Sequence, residues 1–244
     1  MDDRRFLLSL IRQGEHQQQD FKYRVADACK LARSVSAFAN TDGGRLLIGV
    51  RDDGHLSGVR SEEEIYMMHQ AAYRYCKPEA SIKFDTYHAT PSDAVSGSQR
   101  LRTIVVATVP PSAKRPVCAL DEAGRPRAYI RINDENILAS PVHLALWRES
   151  QKPQGSMLTY DDDIRHLLSV MQGVTDRFQE TSDGFQVASE GLSALEHQGR
   201  LTLNQIVRLS RLPRHKVITL LARLIRFGTV RWEYAAPQFL FSLL

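Results

Sequence analysis

The stretch that most restricts the fold is residues 36–54, SAFANTDGGRLLIGVRDDG. Its first residues are mostly small or apolar, and they complete the apolar stripe along one face of a predicted helix. Gly43 and Gly44 are expected to end that helix, because glycine readily adopts the left-handed conformation found at helix C termini. The run LLIGV, bounded by turn residues, predicts a buried strand, and RDDG predicts a tight turn. A helix that leads directly into a core strand and a turn favours an α+β domain.

The segments around this stretch extend the α+β pattern to about residue 149. Apolar spacing predicts three helices, at 2–13, 26–39 and 61–77. Alternation of apolar and polar residues predicts five strands, at 21–25, 55–59, 82–89, 102–109 and 127–133. A polar loop is predicted at 90–102. We therefore predict a mixed sheet with flanking helices.

The C-terminal part has a different organisation. Helical patterns cover residues 160–174, 186–198, 202–212 and 213–228, and the remaining chain predicts a two-stranded hairpin. A tight joint between two helices, followed by a hairpin, is typical of a winged helix-turn-helix domain. The predicted division is a first domain at 1–149, a linker with a connecting helix at 150–184, and a winged helix at 185–244.

The charge distribution indicates a polyanionic partner for the C-terminal part. Residues 196–244 contain eight Lys and Arg against two acids, a local charge of +6, whereas the remaining 24 basic and 26 acidic residues sum to −2. A basic module of this kind is typical of nucleic-acid binding. The candidate contacts on the last helix and the hairpin are Arg211, Arg214, His215, Lys216, Thr219, Arg223 and Arg231. A solvated basic face and a dimerisation or docking module are the alternatives.

Composition narrows the class of protein. The chain is 43% hydrophobic and 25% charged, which is typical of globular proteins. Three well-separated cysteines suit neither a disulfide framework nor a four-thiolate zinc site. The N terminus does not have the order of a signal peptide, and no apolar run reaches membrane-spanning length. We therefore expect a cytoplasmic protein with no membrane partner.

Four segments in order resemble a known family. GEHQQQDFK at 14–22 and VSAFANTDGGRLLIGVRDDGHLSGV at 35–59 are followed by KRPV at 114–117 and YIRINDENILAS at 129–140. Together they resemble the Schlafen-type, AlbA-like domain over most of residues 1–149. The resemblance implies an α+β nucleic-acid-binding module, and prokaryotic members are often fused to a winged helix. The family has also carried an ATP-binding label by analogy with AAA ATPases, but this sequence contains no Walker motif.

The resemblance also implies a candidate metal site. In nuclease members of the family, three carboxylates are associated with metal-assisted RNA cleavage, and the matching positions here are Glu15, Asp20 and Asp52. Mg²⁺ or Mn²⁺ held by such oxygens would activate an attacking water. Asp20 stands where the motif commonly has glutamate. The alternative is that Glu15 and Asp20 hold backbone or basic groups and that Asp52 only shapes a turn.

These observations lead to three hypotheses about function. The first is a DNA-binding transcription regulator whose partner is nucleic acid, DNA before RNA, with no cofactor. The second is a metal-dependent endoribonuclease that uses Mg²⁺ or Mn²⁺. The third is a protein-interaction adaptor, for which a homo-oligomer is expected. Under the first two hypotheses, basic residues of the first domain would line a phosphate groove: Lys22, Arg51, Lys114, Arg115 and Arg131.

Overall fold

The computed structural model describes residues 3–90, 101–153, 161–182 and 199–244. Internal contacts divide the chain into two compact units, the first ending at Ala139 and the second beginning at Ser140. The loop predicted at 90–102 lies mostly outside the described residues, and the helix predicted at 186–198 lies wholly outside them. In the described ranges, none of the helices has the length and apolar character needed to cross a membrane.

The first unit contains both helices and strands. Its helices are α1 (Asp3–Ile11), α2 (Ala28–Asn40) and α3 (Ser61–His69), and a π-helical turn (Gln70–Arg74) continues α3. Its strands are β1 (Gln19–Lys22), β2 (Gly44–Ile48), β3 (Cys76–Lys77), β4 (Lys83–Ala89), β5 (Arg102–Val109), β6 (Cys118–Leu120), β7 (Pro126–Ile132) and β8 (Glu135–Leu138). The prediction of an α+β fold with a mixed sheet is confirmed.

The strands of the first unit form two sheets. One has the order β1-β2-β5-β4, in which β1 and β2 are parallel and the other neighbours are antiparallel. The other has the order β3-β6-β7-β8 and is antiparallel. Successive side chains of β2 point to opposite faces of the sheet. Leu46 and Ile48 belong to the hydrophobic core that contains α2, and Leu47 belongs to the core that contains α1. This two-sided burial explains the continuous apolar run in the sequence.

Helix α2 packs against strands of both sheets. Ten of its thirteen residues are buried, which means that protein covers the helix on more than one face. Small residues such as Ala32 and Ala37 make this close approach feasible. The helix begins after Asp27, whose carboxylate accepts the backbone N–H of Lys30 at 3.1 Å.

Gly43 and Gly44 connect α2 to β2, as the sequence predicts. Gly43 has a φ of +74° and donates its N–H to the carbonyl of Phe38 at 3.0 Å. A Cβ on Gly44 would lie 2.3 Å from the buried ring of Phe38. The two glycines therefore allow both the change of direction and the close contact between the chain and the helix it has just left.

Replacing Gly44 with alanine is expected to lower the free energy of unfolding of the first unit by about 1–3 kcal/mol, because the added Cβ would displace the buried ring of Phe38. Urea titration followed by circular dichroism measures the loss. Gly173→Ala is the matched control, since that position lies in a helix where the added Cβ meets nothing within 4 Å beyond the adjacent residues and backbone of its own helix. An unchanged midpoint for Gly44→Ala would contradict the packing described here.

The second unit is mostly helical, with one small sheet. Its elements are α4 (Pro141–Ser150), α5 (Asp162–Ser182), β9 (Leu201–Thr202), α6 (Leu203–Ser210), α7 (Arg214–Arg226), β10 (Val230–Ala235) and β11 (Gln238–Leu243). The strands form an antiparallel sheet in the order β10-β11-β9. Its core is built from α5, α6, α7 and the hairpin, together with Val142 of α4.

Helices α6 and α7 are joined by a tight turn, as predicted. Thr202 caps α6 by accepting the N–H of Gln205, whose side chain accepts the Thr202 N–H in return. Arg211 ends α6 in the left-handed conformation, with a φ of +57°, and Pro213 precedes α7. The short connection fixes the angle at which α7 leaves α6.

The structure differs from the sequence predictions at several elements. Helix α4 is not predicted, although Ser140 followed by Pro141 is a helix-start signal, and it packs in the second unit rather than the first. The predicted strand at 55–59 is reduced to a single bridge between Val50 and Leu56. The predicted helix at 61–77 changes to a π-helical turn after His69. The helix predicted at 160–174 extends further, to Ser182.

Candidate functional site

Two of the predicted carboxylates, Glu15 and Asp20, lie together beside β1. Glu15 accepts the backbone N–H of Phe21 at 2.8 Å, and its side chain is hydrogen-bonded to Asp20. Burial, and then the hydrogen bond with Asp20, raise the pKa of Glu15. Partial burial and a neighbouring acid therefore both disfavour a negative charge on Glu15.

Asp20 is also paired with two cations. Its side chain is nearly inaccessible, with Oδ2 at 2.7 Å from Lys22 Nζ and Oδ1 at 3.4 Å from Arg131 Nη2. Arg131 is only 1% exposed and also donates to the side-chain oxygen of Asn136 at 3.0 Å. The expectation that Arg131 lines a nucleic-acid groove is therefore corrected, because this guanidinium is buried as the partner of Asp20.

Asp52, the third predicted carboxylate, lies in the exposed turn after β2. Among residues 3–90, 101–153, 161–182 and 199–244, no group of three His, Cys, Asp or Glu side chains is arranged to hold a metal ion. The partners of the two nearby carboxylates also argue against a metal ion. Asp20 is neutralised by Lys22 and Arg131, and Glu15 shares a hydrogen bond with Asp20. These residues do not fit a Mg²⁺ or Mn²⁺ site in this arrangement.

Asn40, in the A-F-A-N-T segment, has a structural role. Its side chain is buried, donates to the carbonyls of Val117 and Tyr129 at 2.8 and 2.9 Å, and accepts the N–H of Val117 at 2.8 Å. Ser36 adds a hydroxyl donated to the Val117 carbonyl at 2.7 Å. The side chains of Asn40 and Ser36 therefore hold the end of α2 to the K-R-P-V segment and to β7.

The other four basic residues predicted to contact nucleic acid in the first unit differ in their exposure and in their partners. Arg51 and Lys114 are exposed. Lys22 is partly exposed and paired with Asp20. Arg115 donates to two backbone carbonyls at the end of α2, at 3.4 and 2.5 Å. Arg51 and Lys114 are therefore the members of this set best placed to meet a partner.

In the second unit, α7 has an apolar face and a polar face. Val217, Leu220, Leu221 and Leu224 are buried in the core. The predicted contact residues lie outside that core. Exposed among them are Arg211, Arg214, His215, Thr219 and Arg231, whereas Lys216 and Arg223 are half-buried.

Several of these cations contact other side chains of the protein, and those contacts decide how available each cation is to a ligand. Lys216 forms an ion pair with Asp163 at 2.5 Å, which neutralises it. Arg214 donates to the side-chain oxygen of Asn204 at 2.6 Å, and Arg231 donates to Ser242 at 3.1 Å. These last two partners are uncharged. Within the described residues, Arg211, Arg214 and Arg231 have no carboxylate partner, so each keeps its full charge for a ligand.

Helix α4 covers part of α7, which the sequence does not predict. Arg226, near the end of α7, donates to the carbonyls of Glu149, Lys152 and Pro153 and so closes the C-terminal end of α4. Ala222 is fully buried, although it lies outside the residues that form the main core. The accessible part of α7 is therefore its N-terminal half.

The N-terminal end of α4 is packed against the hairpin through His143. Its ring lies 4.5 Å from the ring of Trp232 and 4.7 Å from that of Phe239, and Nδ1 lies 2.7 Å from the Ser140 hydroxyl. Burial lowers the pKa of His143 to about 4. His143 is therefore a neutral core residue near pH 7.

Comparison with known proteins agrees with this architecture. Residues 186–233 match the family model of the RNA polymerase III subunit RPC82 helix-turn-helix domain. Residues 15–140, more than half of the chain, match the family model described as Schlafen, AlbA_2. Domains of these two types fit a nucleic-acid-binding protein. The chain belongs to the Schlafen AlbA_2 family and carries a C-terminal helix-turn-helix domain, which is the fusion that the sequence predicts.

A solved structure is also similar. The DIP2311 protein from Corynebacterium diphtheriae is 18% identical, with a TM-score of 0.39, over 70% of this chain and 31% of that chain. This chain therefore spans less than a third of that protein's length. No curated protein matches.

Proposed function

We propose that this protein is a DNA-binding transcription regulator whose helix-turn-helix unit contacts duplex DNA. The contact surface is the N-terminal half of α7 with the turn before it and the β10–β11 hairpin. The observation that supports this most is the set of exposed arginines, Arg211, Arg214 and Arg231, that have no carboxylate partner among the described residues.

The chemistry of this surface suits the two kinds of contact that DNA offers. Arginine pairs with two acceptors on guanine in the major groove and also binds phosphate oxygens. His215 and Thr219 lie on the same exposed part of α7 and supply further hydrogen-bonding groups. Because α4 covers the C-terminal half of the helix, base contacts are restricted to its first two turns.

The double variant Arg211→Ala/Arg214→Ala is expected to bind duplex DNA more weakly and with less salt dependence. Each lost phosphate contact lowers the slope of log K against log salt by about 0.9, so two lost contacts lower it by about 2. Fluorescence anisotropy with a labelled duplex across a salt series measures both quantities.

Arg165→Ala is the matched control, since Arg165 is an exposed arginine of the same unit that is paired with Asp162 and lies on α5. Because the double variant removes two charges and the control removes one, a loss in the double variant only twice that in the control would show that overall charge, and not the α7 surface, accounts for binding. An unchanged slope in the double variant would contradict the proposed contact surface.

The endoribonuclease hypothesis has weaker support. Its three carboxylates would have to share a metal, whereas Asp20 is paired with Lys22 and Arg131 and Asp52 lies outside that cluster. The adaptor hypothesis rests only on the versatility of the helix-turn-helix fold. The regulator hypothesis is the one that uses the exposed cations.

A further inference from the structure

A shallow cavity lies at one end of the parallel pair β1 and β2. It has a volume of about 510 Å³ and is lined by Tyr23, Arg51, Asp52 and Asp53. Tyr23 directly follows the last residue of β1, and Arg51 follows closely after β2. The carboxyl ends of parallel strands meet at one edge of a sheet, where loops from separate strands can build a ligand site together.

The guanidinium group of Arg51 lies over the ring of Tyr23 at this edge. The Tyr23 side chain is 50% exposed, and the guanidinium carbon of Arg51 lies 5.3 Å from the centre of its ring. Arg51 is itself exposed. Exposed aromatic rings and guanidinium planes are the surfaces on which proteins stack unpaired bases.

The turn that carries the polar groups is held in place by its own hydrogen bonds. Gly54 donates to the carbonyl of Arg51 at 2.8 Å, and Arg51 donates to the carbonyl of His55 at 3.1 Å. Asp53 accepts the N–H of His55 at 2.9 Å, so one of its oxygens is used by the turn. Asp52 has no hydrogen bond or ion pair to any residue that the structure describes. Its carboxylate is therefore the group of this turn that is available to a ligand.

The charges that line the cavity decide which part of a nucleotide fits it. Arg51 is opposed by Asp52 and Asp53, which gives the lining a net negative charge and disfavours a phosphate. A carboxylate only accepts hydrogen bonds, so it needs a ligand edge with donors. Guanine presents two adjacent donors, N1–H and the 2-amino group, on its Watson–Crick edge. Uracil presents one donor between two acceptors, and adenine and cytosine place an acceptor beside their amino group.

We propose that Tyr23, Arg51 and Asp52 bind an unpaired guanine base, which stacks on the outer side of the Tyr23–Arg51 pair while Asp52 accepts its two donors. This inference rests on the proposed function in that a nucleic acid held by the second unit would present the base. The same guanine chemistry is offered by a free guanine nucleotide, and the experiment distinguishes the two sources.

The test uses the full chain and two labelled single strands, an oligouridine and the same strand with one central guanine. Anisotropy titration is expected to show about tenfold tighter binding of the strand with guanine, the low end of what a bidentate base contact contributes. Asp52→Asn is expected to remove that preference, so that the two strands bind with equal affinity. Tyr23→Ala is expected to weaken binding of both strands, because stacking does not depend on base identity.

Tyr66→Ala is the matched control, since Tyr66 is another exposed tyrosine, on α3, and its removal is expected to change neither affinity. Competition with GMP, and with UMP as its control, identifies the source of the base. Displacement of the strand by GMP but not by UMP supports the guanine site and assigns it to a free nucleotide. A preference for the strand with guanine that resists GMP supports the site and assigns it to nucleic acid.

Equal affinity of the wild-type protein for the two strands, together with no displacement by GMP, would overturn the guanine site. A preference for guanine that persists in Asp52→Asn would overturn the role of Asp52. Titration of duplex DNA with the same proteins keeps the two proposals apart. Intact duplex binding without a guanine preference rejects only this inference, whereas absent duplex binding rejects the proposed function.

Discussion

Replacing Asp20 with asparagine is expected to lower the free energy of unfolding of the first unit by about 3–5 kcal/mol. The change leaves the guanidinium of Arg131 without a counter-charge at a position that is 1% exposed. Removing one member of a buried pair is costly because the remaining charge stays desolvated. Urea unfolding followed by circular dichroism measures the loss. Both tryptophans of the chain, Trp147 and Trp232, lie in the second unit, so the fluorescence transition serves as an internal reference.

The contrast with Lys22 makes this test specific. Lys22 contacts the same carboxylate, but its side chain is 37% exposed, so Lys22→Ala is expected to cost only about 0–1 kcal/mol. The double variant Asp20→Asn/Arg131→Met removes both buried charges and is expected to recover part of the loss. If Asp20→Asn were as stable as the wild-type protein, the buried ion pair would not be the reason for this carboxylate. A carboxylate kept for catalysis would behave in that way, since its removal commonly leaves stability unchanged or raises it.

Acidification from pH 7 to about pH 4 is expected to lower the stability of the second unit by about 3 kcal/mol through His143 alone. In the unfolded chain this histidine titrates near its ordinary pKa of about 6.5. In the folded unit, burial lowers the pKa of His143 to about 4. Between these values only the unfolded chain binds the proton, so the stability is complete above pH 6.5 and is lost progressively as the pH falls towards 4.

His143→Gln isolates this contribution from the titration of carboxylates. Glutamine does not titrate, and at this position it retains a side chain able to accept the N–H of the cap residue Ser140. Denaturant unfolding followed by tryptophan fluorescence at both pH values gives the comparison. The variant is expected to lose about 3 kcal/mol less than the wild-type protein on acidification. Equal losses in both would contradict the buried, neutral state of His143.

The parts of the fold that follow from local chemistry are predictable from the sequence. Gly43 turns the chain at the end of α2 because of its backbone freedom, Gly44 lets the chain pass close to Phe38, and the apolar run after them is buried on both faces of a sheet. Thr202 and the connection at Arg211 and Pro213 locate the joint between α6 and α7. In each case the residues that decide the structure are neighbours along the chain.

The parts that depend on distant partners are not predictable in this way. Arg131 is indistinguishable from a surface cation until β7 brings it to Asp20, 111 positions away in the chain. The same limit applies to the cavity at Tyr23, because its walls come from loops that only the parallel pairing of β1 and β2 places together. Helix α4 has a local start signal at Ser140 and Pro141, but its position against α7 is a long-range contact.

The four segments that resemble the Schlafen-type domain thus contact one another in the structure. Asp20, from D-F-K, pairs with Arg131, from Y-I-R, and Asn40, from A-F-A-N-T, binds Val117, from K-R-P-V. These contacts show that the motif residues hold the fold of the first unit together, which is a role independent of catalysis. The side chains of the first unit that are accessible to a ligand lie instead at its exposed edge, and they include Tyr23, Arg51 and Asp52.

The most direct test of the central claim is anisotropy titration of labelled duplex DNA and hairpin RNA, with and without Mn²⁺, with the same samples then run on a denaturing gel. Our account predicts salt-dependent binding of the duplex, weakened in Arg211→Ala/Arg214→Ala, and nucleic acid that remains intact with Mn²⁺. Two results would contradict it. One is the absence of duplex binding at low salt, and the other is Mn²⁺-dependent cleavage of the RNA that is lost in Asp52→Ala.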